Sequence, residues 1–387
     1  MTPGAQVAAA IDVLDQIAAG TAAEKALIAW ARKSRFAGSK DREAVRDHVF
    51  DVLRCRRLAA HYGQGDTGRA LMIGLLRLQG RSMEACFNGQ GYAPKPLSKK
   101  EKNGPALTGK IGVTWCLPDW LVPPLIDSLG KKAEETARAL QKRAPMTLRV
   151  NLAKAEVVQI RAQLAQAGVE TRLNPICSTA LTVTSGGRAL RSSALYQDGW
   201  VELQDAASQA VVETLPKSGR ALDFCAGGGG KALALAVDAS RQVFAHDHDP
   251  GRMRHLPVRA QRAGVEIVLS DRADLTSAAP FDLVLCDVPC SGSGAWRRAP
   301  EGKWNLTPDG LRALHRQQNA ILDTARKLTS QKGMLAYATC SVLRNENEDR
   351  IAAFLERHQG WRCVFQKRFS VSEDCDGFFI AHLLRET

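Results

Sequence analysis

Ala221-Leu222-Asp223-Phe224-Cys225-Ala226-Gly227-Gly228-Gly229-Gly230-Lys231 is an apolar run, interrupted by one aspartate, that leads into four glycines. Such a run reads as a strand buried on both faces, and the glycines let a ligand approach the backbone where the chain turns into a helix. Similar runs recur at Ala221–Cys225, Val243–His246, Ile267–Leu269, Leu283–Cys286 and Met334–Ala338, separated by helical stretches. Strands alternating with helices predict an α/β, Rossmann-like domain around a mostly parallel, doubly wound sheet. Ligands of such sheets bind at the carboxyl ends of the strands, so the residues just after each run carry the chemistry.

The glycine loop is not a P-loop, which requires Gly at position 225 and Ser or Thr at 232, where this chain has Cys225 and Ala232. Asp247 follows the second strand about twenty residues further on, the spacing at which a carboxylate accepts hydrogen bonds from ribose hydroxyls. Asp271 follows the third, within reach of an adenine edge; each aspartate alone also reads as a helix cap. Taken in strand order, these elements point to an adenosine-containing cofactor, either S-adenosylmethionine or a nicotinamide dinucleotide.

Upstream of the sheet, Val7, Ile11, Leu14 and Ile17, and then Val45, Val49, Val52 and Leu53, recur at helical spacing, so residues 1–140 read as a helical domain. Gly89 to Lys110 is a loop rich in Gly, Pro and Lys. Residues 141–200 read as a small α/β module, with strands at Thr147–Asn151 and Ala180–Thr184 flanking a helix at Val157–Ala167, and residues 201–387 as the sheet domain. The net charge is +13, and the first 150 residues hold 24 Lys and Arg against 14 Asp and Glu. That excess favours a polyanionic partner, without choosing between RNA and DNA. The ten cysteines show no C-x-x-C spacing, which speaks against a zinc site or a disulfide scaffold; no metal is expected. No segment is long and apolar enough to span a membrane, and Asp12 and Asp15 interrupt any signal-like start, so a cytoplasmic, monomeric protein is expected.

The fourth strand leads through Asp287-Val288-Pro289-Cys290-Ser291-Gly292-Ser293-Gly294, and the fifth ends in Thr339-Cys340-Ser341. Two cysteines thus stand at the ends of two strands. These stretches resemble the paired motifs of the RsmB-type (NOP/Sun) RNA cytosine 5-methyltransferase family. The resemblance runs through Gln204-Asp205-Ala206-Ala207-Ser208, Asp247 with Arg252, the helix of Gln318 and Asp376-Gly377-Phe378-Phe379, covering about residues 200–387. Leu148-Arg149-Val150-Asn151 resembles the family's small module, and the helical region is similar in kind to its NusB-like RNA-binding domain.

The resemblance implies a class I methyltransferase domain, S-adenosylmethionine as cofactor and RNA as substrate, with 16S ribosomal RNA favoured and tRNA as an alternative. It implies that Cys225, Ala226, Gly227, Gly228, Gly229, Gly230, Lys231, Asp247, Arg252, Asp271 and Asp287 hold the cofactor. The 5-carbon of cytosine is a poor nucleophile; a thiolate added to the 6-carbon makes it enamine-like and able to take a methyl group. In the family resembled, the Thr-Cys-Ser cysteine attacks and the Pro-Cys cysteine assists release, which assigns these roles to Cys340 and Cys290. DNA cytosine methyltransferases attack from Pro-Cys, the reverse assignment. Asp287 is expected beside the cytosine ring, with its carboxylic acid on the 3-nitrogen, and Lys231 in the same cavity. Arg297, Arg298, Lys303 and Trp304 are candidates for phosphate contact and stacking, or else a packed tryptophan among surface arginines.

One departure stands out: Gly227 and Gly228 replace the Ala-Pro of the family's Cys-Ala-Ala-Pro-Gly-Gly-Lys loop. Loss of the proline frees the unfolded chain and is expected to weaken cofactor binding by ~1 kcal/mol or less. A non-catalytic RNA-binding or assembly factor on the same fold is the alternative function. A nicotinamide oxidoreductase ranks behind it, because hydride transfer needs no pair of strand-end cysteines.

Overall fold

A computed structural model describes residues 1–386, which form two compact units. The first comprises Met1–Ile126, Gly130–Arg143 and Trp296–Asn305. Its helices at Pro3–Ala18, Ala23–Lys33, Ser39–Arg54, Arg56–Gly63 and Gly68–Leu78 bury one face each. Val7, Leu14, Val45, Val49, Val52 and Leu53 meet in one core, and Ile11 and Ile17 pack against it. Thr2 caps the first helix with its hydroxyl, and Pro3 opens it, where a missing N–H costs nothing.

The expected contiguous domains are crossed by Trp296–Asn305, which belongs to the helical unit although it lies far along the chain. Its residues cap the carboxyl end of helix Ser39–Arg54, whose last carbonyls have no partner within the helix. Trp304 Nε1 donates to Leu53 O at 2.7 Å and Lys303 Nζ to Arg54 O at 2.8 Å, while Arg54 Nε donates to Arg297 O at 2.7 Å. Arg297 and Lys303 are 2% and 1% exposed, so neither reaches a phosphate, which corrects the expectation for them. Burial pulls the Lys303 ammonium down to about 8. Arg298 alone of the basic trio is exposed.

In the second unit, β1 (Met146–Val150), β2 (Glu170–Leu173), β3 (Ala180–Ser185) and β4 (Val201–Leu203) form an antiparallel sheet in the order β2-β3-β1-β4. Helix Val157–Gln166 covers it through Ile160 and Leu164, which pack with Leu148, Val150 and Leu181. β2 and β4 are the short edges, and their polar residues hid them from the sequence reading.

The main sheet holds β5 (Gly219–Asp223), β6 (Arg241–Ala245), β7 (Val268–Leu269), β8 (Phe281–Asp287), β9 (Thr329–Thr339), β10 (Trp361–Phe369) and β11 (Phe378–Arg385). Their order is β10-β11-β9-β8-β5-β6-β7, with β5 to β9 parallel and the β10–β11 hairpin antiparallel at one edge. Side chains alternate between two cores. Ala221, Val243, Leu283, Leu285, Ala336 and Ala338 face one, and Leu222, Phe244, Val284, Cys286, Leu335 and Tyr337 the other. Both faces are covered, which is why these strands read as unbroken apolar runs.

Trp296 is 2% exposed within the helical unit. Trp296→Ala is expected to cost ~3–5 kcal/mol, the scale of a large core truncation, read by urea denaturation of the full chain. A loss below ~1 kcal/mol would mean that the crossing segment rests only loosely on the helices.

Candidate active site

The carboxyl ends of the parallel strands bring most of the expected residues together. After β5 the chain turns at Gly227 (φ +53°) and Gly229 (φ +81°), both in the left-handed region that favours glycine, and Gly229 caps helix Gly230–Leu235. Asp247, just beyond β6 and 3% exposed, accepts from Gly227 N at 2.8 Å, from Asp249 N at 3.0 Å and from Arg252 Nη1 at 3.2 Å. Its carboxylate therefore clamps the glycine loop to the end of β6 and uses three of roughly four acceptor directions. Ala226 N donates to His246 O at 2.8 Å, and Arg259 donates from its guanidinium to Gly228 O.

Asp271 lies beyond β7, exposed, as the cap of helix Arg272–Ala278. Its Oδ1 accepts from Asp274 N at 2.8 Å, and Asp274 returns a bond to Asp271 N at 3.3 Å. Of the two readings the sequence allowed for it, the cap is the one its hydrogen bonds express.

Under the loop is a cluster of buried charge. Lys231 is 6% exposed, and its Nζ donates to Asp287 Oδ2 at 2.6 Å, at the end of β8. Burial alone lowers a lysine, but here the charge and hydrogen bond of Asp287 more than offset it, and Lys231 ends above its ordinary value. Asp287 Oδ2 thus accepts from the Lys231 ammonium at the end of β8. Asp223, the last residue of β5, is 1% exposed, and its carboxylate oxygens have no well-formed hydrogen bond, only a weak interaction with the backbone of Ala232. Burial first, and then the charge of Asp287, push it up to about 7. Arg149 on β1 donates to Gly230 O at 2.7 Å and also bonds Gln204, linking the small sheet to the start of the glycine helix.

Beside this cluster are the two cysteines. Cys290 Sγ and Cys340 Sγ are 3.5 Å apart, both half-buried. The hydrogen bond to Cys340, then burial, then the charges of Cys340 and Glu346 hold the Cys290 thiol well above its ordinary value, so it keeps its proton. Gly294 N donates to Cys340 O at 2.9 Å, and Gly294 O accepts from Gly377 N at 3.0 Å. A Cβ on Gly294 would lie 2.1 Å from Gly377 O, so both glycines serve close backbone approach. The motif residues Asp205 and Asp376 likewise act in the scaffold: Asp376 N donates to Asp205 Oδ2 at 3.0 Å.

Sequence reasoning did not single out Asp223, Arg149 or Glu346 for the site. An aspartate closing an apolar strand was the available signal for the first. Among the described residues, no group of three His, Cys, Asp or Glu is placed to hold a metal ion, and no helix is long and apolar enough to cross a membrane.

Comparisons with known proteins bear on the family and the fold. The family model for 16S rRNA methyltransferase RsmB/F matches residues 212–384, and the model for the RsmF/B-like ferredoxin-like domain matches residues 117–189. Ribosomal RNA small subunit methyltransferase B of Xanthomonas campestris is 31% identical over 361 residues, spanning 87% of this chain and 79% of that protein. The crystal structure of PH0851 superposes over 100% of this chain and 99% of its own, with a TM-score of 0.79 at 21% identity. NSun6 from Pyrococcus horikoshii, solved with SFG, covers 70% of this chain and 98% of its own, with a TM-score of 0.61 at 17% identity.

The buried Asp223 gives a prediction with a definite sign. Its folded value of about 7 lies above the ordinary 3.8, so the folded state holds the proton more tightly. Below about pH 4 both states are protonated and folding carries no penalty; stability is lost as pH rises towards about 7 and then stays level. Asp223→Asn removes that loss. The variant should gain little over the native chain at pH 4.5 and ~2–4 kcal/mol at pH 8, in denaturant titrations at both values. A difference that does not change with pH would mean Asp223 is ionised in the folded protein.

Proposed function

The chain belongs to the RsmB/F family of 16S rRNA methyltransferases, and from that premise we propose that it transfers a methyl group from S-adenosylmethionine to the 5-carbon of a cytosine in ribosomal RNA. The observation that carries this reading is the 3.5 Å separation of Cys290 and Cys340 at the ends of adjacent parallel strands. Cytosine methylation at carbon 5 asks for a thiol that adds to the ring and a group that assists its release, and this pair can supply both at one place.

The cofactor's place is supported by the residues under the glycine loop. Asp223 offers two buried carboxylate oxygens without a well-formed hydrogen bond, a setting that suits a cationic ligand. Gly227 to Gly230 leave the backbone open to close approach, and Asp247 and Arg252 flank the loop at the end of β6. When bound, S-adenosylmethionine supplies an electrophilic methyl on a sulfonium. The structure solved with SFG belongs to a protein of the same fold.

The chain's own residues would act as follows. Two thiolates 3.5 Å apart repel, so one thiol of the pair attacks while the other keeps its proton, and the family resemblance gives the attack to Cys340. A bond would form from Cys340 Sγ to the 6-carbon as the electron pair of the ring double bond moves to the 5-carbon, which would take the methyl while the sulfonium sulfur keeps the pair of the broken S–C bond and leaves as a neutral thioether. Asp287, fixed by Lys231, accepts from the exocyclic amine of cytosine and so fixes the base. Release requires loss of the 5-proton to a base; its electron pair restores the ring double bond, and Cys340 departs with the pair of the S–C bond. Cys290 assists that release. The helical unit carries most of the positive excess and would hold the RNA backbone.

Two measurements test this reading. Asp247→Ala should weaken S-adenosylmethionine binding by ~1–3 kcal/mol in calorimetric titration, the scale of a lost charged hydrogen bond; unchanged affinity would remove Asp247 from the cofactor site. The cysteines should fail in different ways. Cys340→Ala should neither methylate RNA nor form a covalent complex. Cys290→Ala should accumulate a protein–RNA adduct that survives denaturing electrophoresis and disappears when Cys340 is also replaced. An adduct that needs Cys290 and forms without Cys340 would invert the assignment.

A further inference from the structure

Glu346 lies on the turn Arg344–Glu346, six residues after Cys340, and is 0% exposed. Removing a carboxylate from water costs several kcal/mol unless strong hydrogen bonds replace the hydration, so its partners reveal its purpose. Ser291 N donates to Oε1 at 2.8 Å and Gln318 Nε2 to the same oxygen at 3.1 Å. Ser341 Oγ donates to Oε2 at 2.6 Å, and Ser291 Oγ donates to it as well. Ser291 follows Cys290 by one residue, and Ser341 follows Cys340 by one. A single carboxylate therefore grips the residue next to each reacting thiol.

Further bonds make the grip rigid. Gln318 Nε2 also donates to Pro289 O at 3.0 Å, so Cys290 is held from the residue on either side. Glu346 is itself anchored, its carbonyl accepting from the Tyr337 hydroxyl at 2.6 Å. Ser293 Oγ and Ser341 Oγ are 2.8 Å apart, and Val342 N donates to Ser293 Oγ at 2.9 Å. Loops carrying Cys290 and Cys340 leave separate strands, and two loops with independent motion would not keep sulfurs at one spacing through a reaction that moves one of them. We propose that Glu346 is a positioning residue that fastens the Cys290 loop to the Cys340 loop and so sets the distance between the two thiols. This rests on the methyltransferase reading for its consequence, but not for its geometry.

The side chain does this by shape and hydrogen bonding, and glutamine has the same length and can satisfy the serine hydroxyls, which turn to suit. Alanine removes the grip altogether. The test uses the full chain and a bifunctional bromobimane that bridges only thiols held close together, with the Cys290–Cys340 bridged peptide quantified by mass spectrometry. Glu346→Ala should bridge about tenfold more slowly and lose RNA methylation by a similar factor, the scale of a misplaced reacting group, while single alkylation of each thiol and S-adenosylmethionine affinity change less than about twofold. Glu346→Gln should restore both bridging and methylation to within about threefold, a rescue that a role confined to overall stability would not produce at constant melting temperature. If Glu346→Ala fails to fold, Ser341→Ala, which removes one arm of the grip, is read in the same way. Unchanged bridging in a folded variant overturns the proposal. Slower bridging in a chain whose native form does not methylate RNA leaves the grip standing and overturns the methyltransferase reading instead.

Discussion

β8 and β9 run in parallel as neighbours, with Asp287 opposite Ala338, and everything chemical in the second unit follows from that register. Cys290 lies three residues past one member of this pair and Cys340 two residues past the other. Both thiols are thereby delivered to the same end of the sheet by strands whose hydrogen bonds cannot slip without turning every side chain to the wrong core. β5 pairs on the far side of β8, which places Asp223 and the glycine loop next to Asp287. The five parallel strands act as a ruler whose zero mark is the β8–β9 pair.

This arrangement concentrates charge where it is expensive. Asp223, Lys231 and Glu346 are nearly or fully buried at one end of one sheet, with Asp287 beside them. Each is handled differently. Lys231 and Asp287 neutralise one another at 2.6 Å, Glu346 is surrounded by donors, and Asp223 is left without a well-formed hydrogen bond and pushed up to about 7. A fold maximising stability alone would not leave a carboxylate in that state. Its proximity to Asp287 and Lys231 means that a cation bound nearby would relieve the repulsion among the carboxylates, so the cost in the free protein is the counterpart of affinity in the bound one.

Much of this was legible in the sequence, for a physical reason. Strands covered on both faces must be apolar throughout, so β5, β6, β8 and β9 announced themselves, and the residues following them fell at the ligand end. The edges were hidden: β10 carries Arg362, Gln366, Lys367 and Arg368, as an edge strand exposed along one side does, and β2 and β4 are only four and three residues long. Contacts between distant segments were hidden too. Nothing local marks Glu346 as the partner of Ser291, fifty-five positions away, and Lys303 looked like a phosphate ligand because burial beside Arg54 depends on a helix 249 residues earlier. Spacing reveals what one element places on its own face; it is blind to what a second element brings there.

The glycine loop shows how the two kinds of information combine. Replacing the family's Ala-Pro with Gly227 and Gly228 removes local stiffness, and from the sequence alone this looked like a loss. In the folded chain Gly227 has φ +53°, a conformation that costs a residue with a Cβ about 1–2 kcal/mol, so glycine is at ease there. The stiffness is supplied from outside: Asp247 holds Gly227 N, Arg259 holds Gly228 O, and Glu202 on β4 fixes Arg259 in turn at 3.3 Å. Arg262, paired to the same Glu202 at 2.7 Å, braces that link. Rigidity that a proline would confer on the unfolded and folded chain alike is here conferred only on the folded one, through long-range ion pairs. The order of this loop is therefore a property of the assembled unit, and it depends on the small sheet being in place.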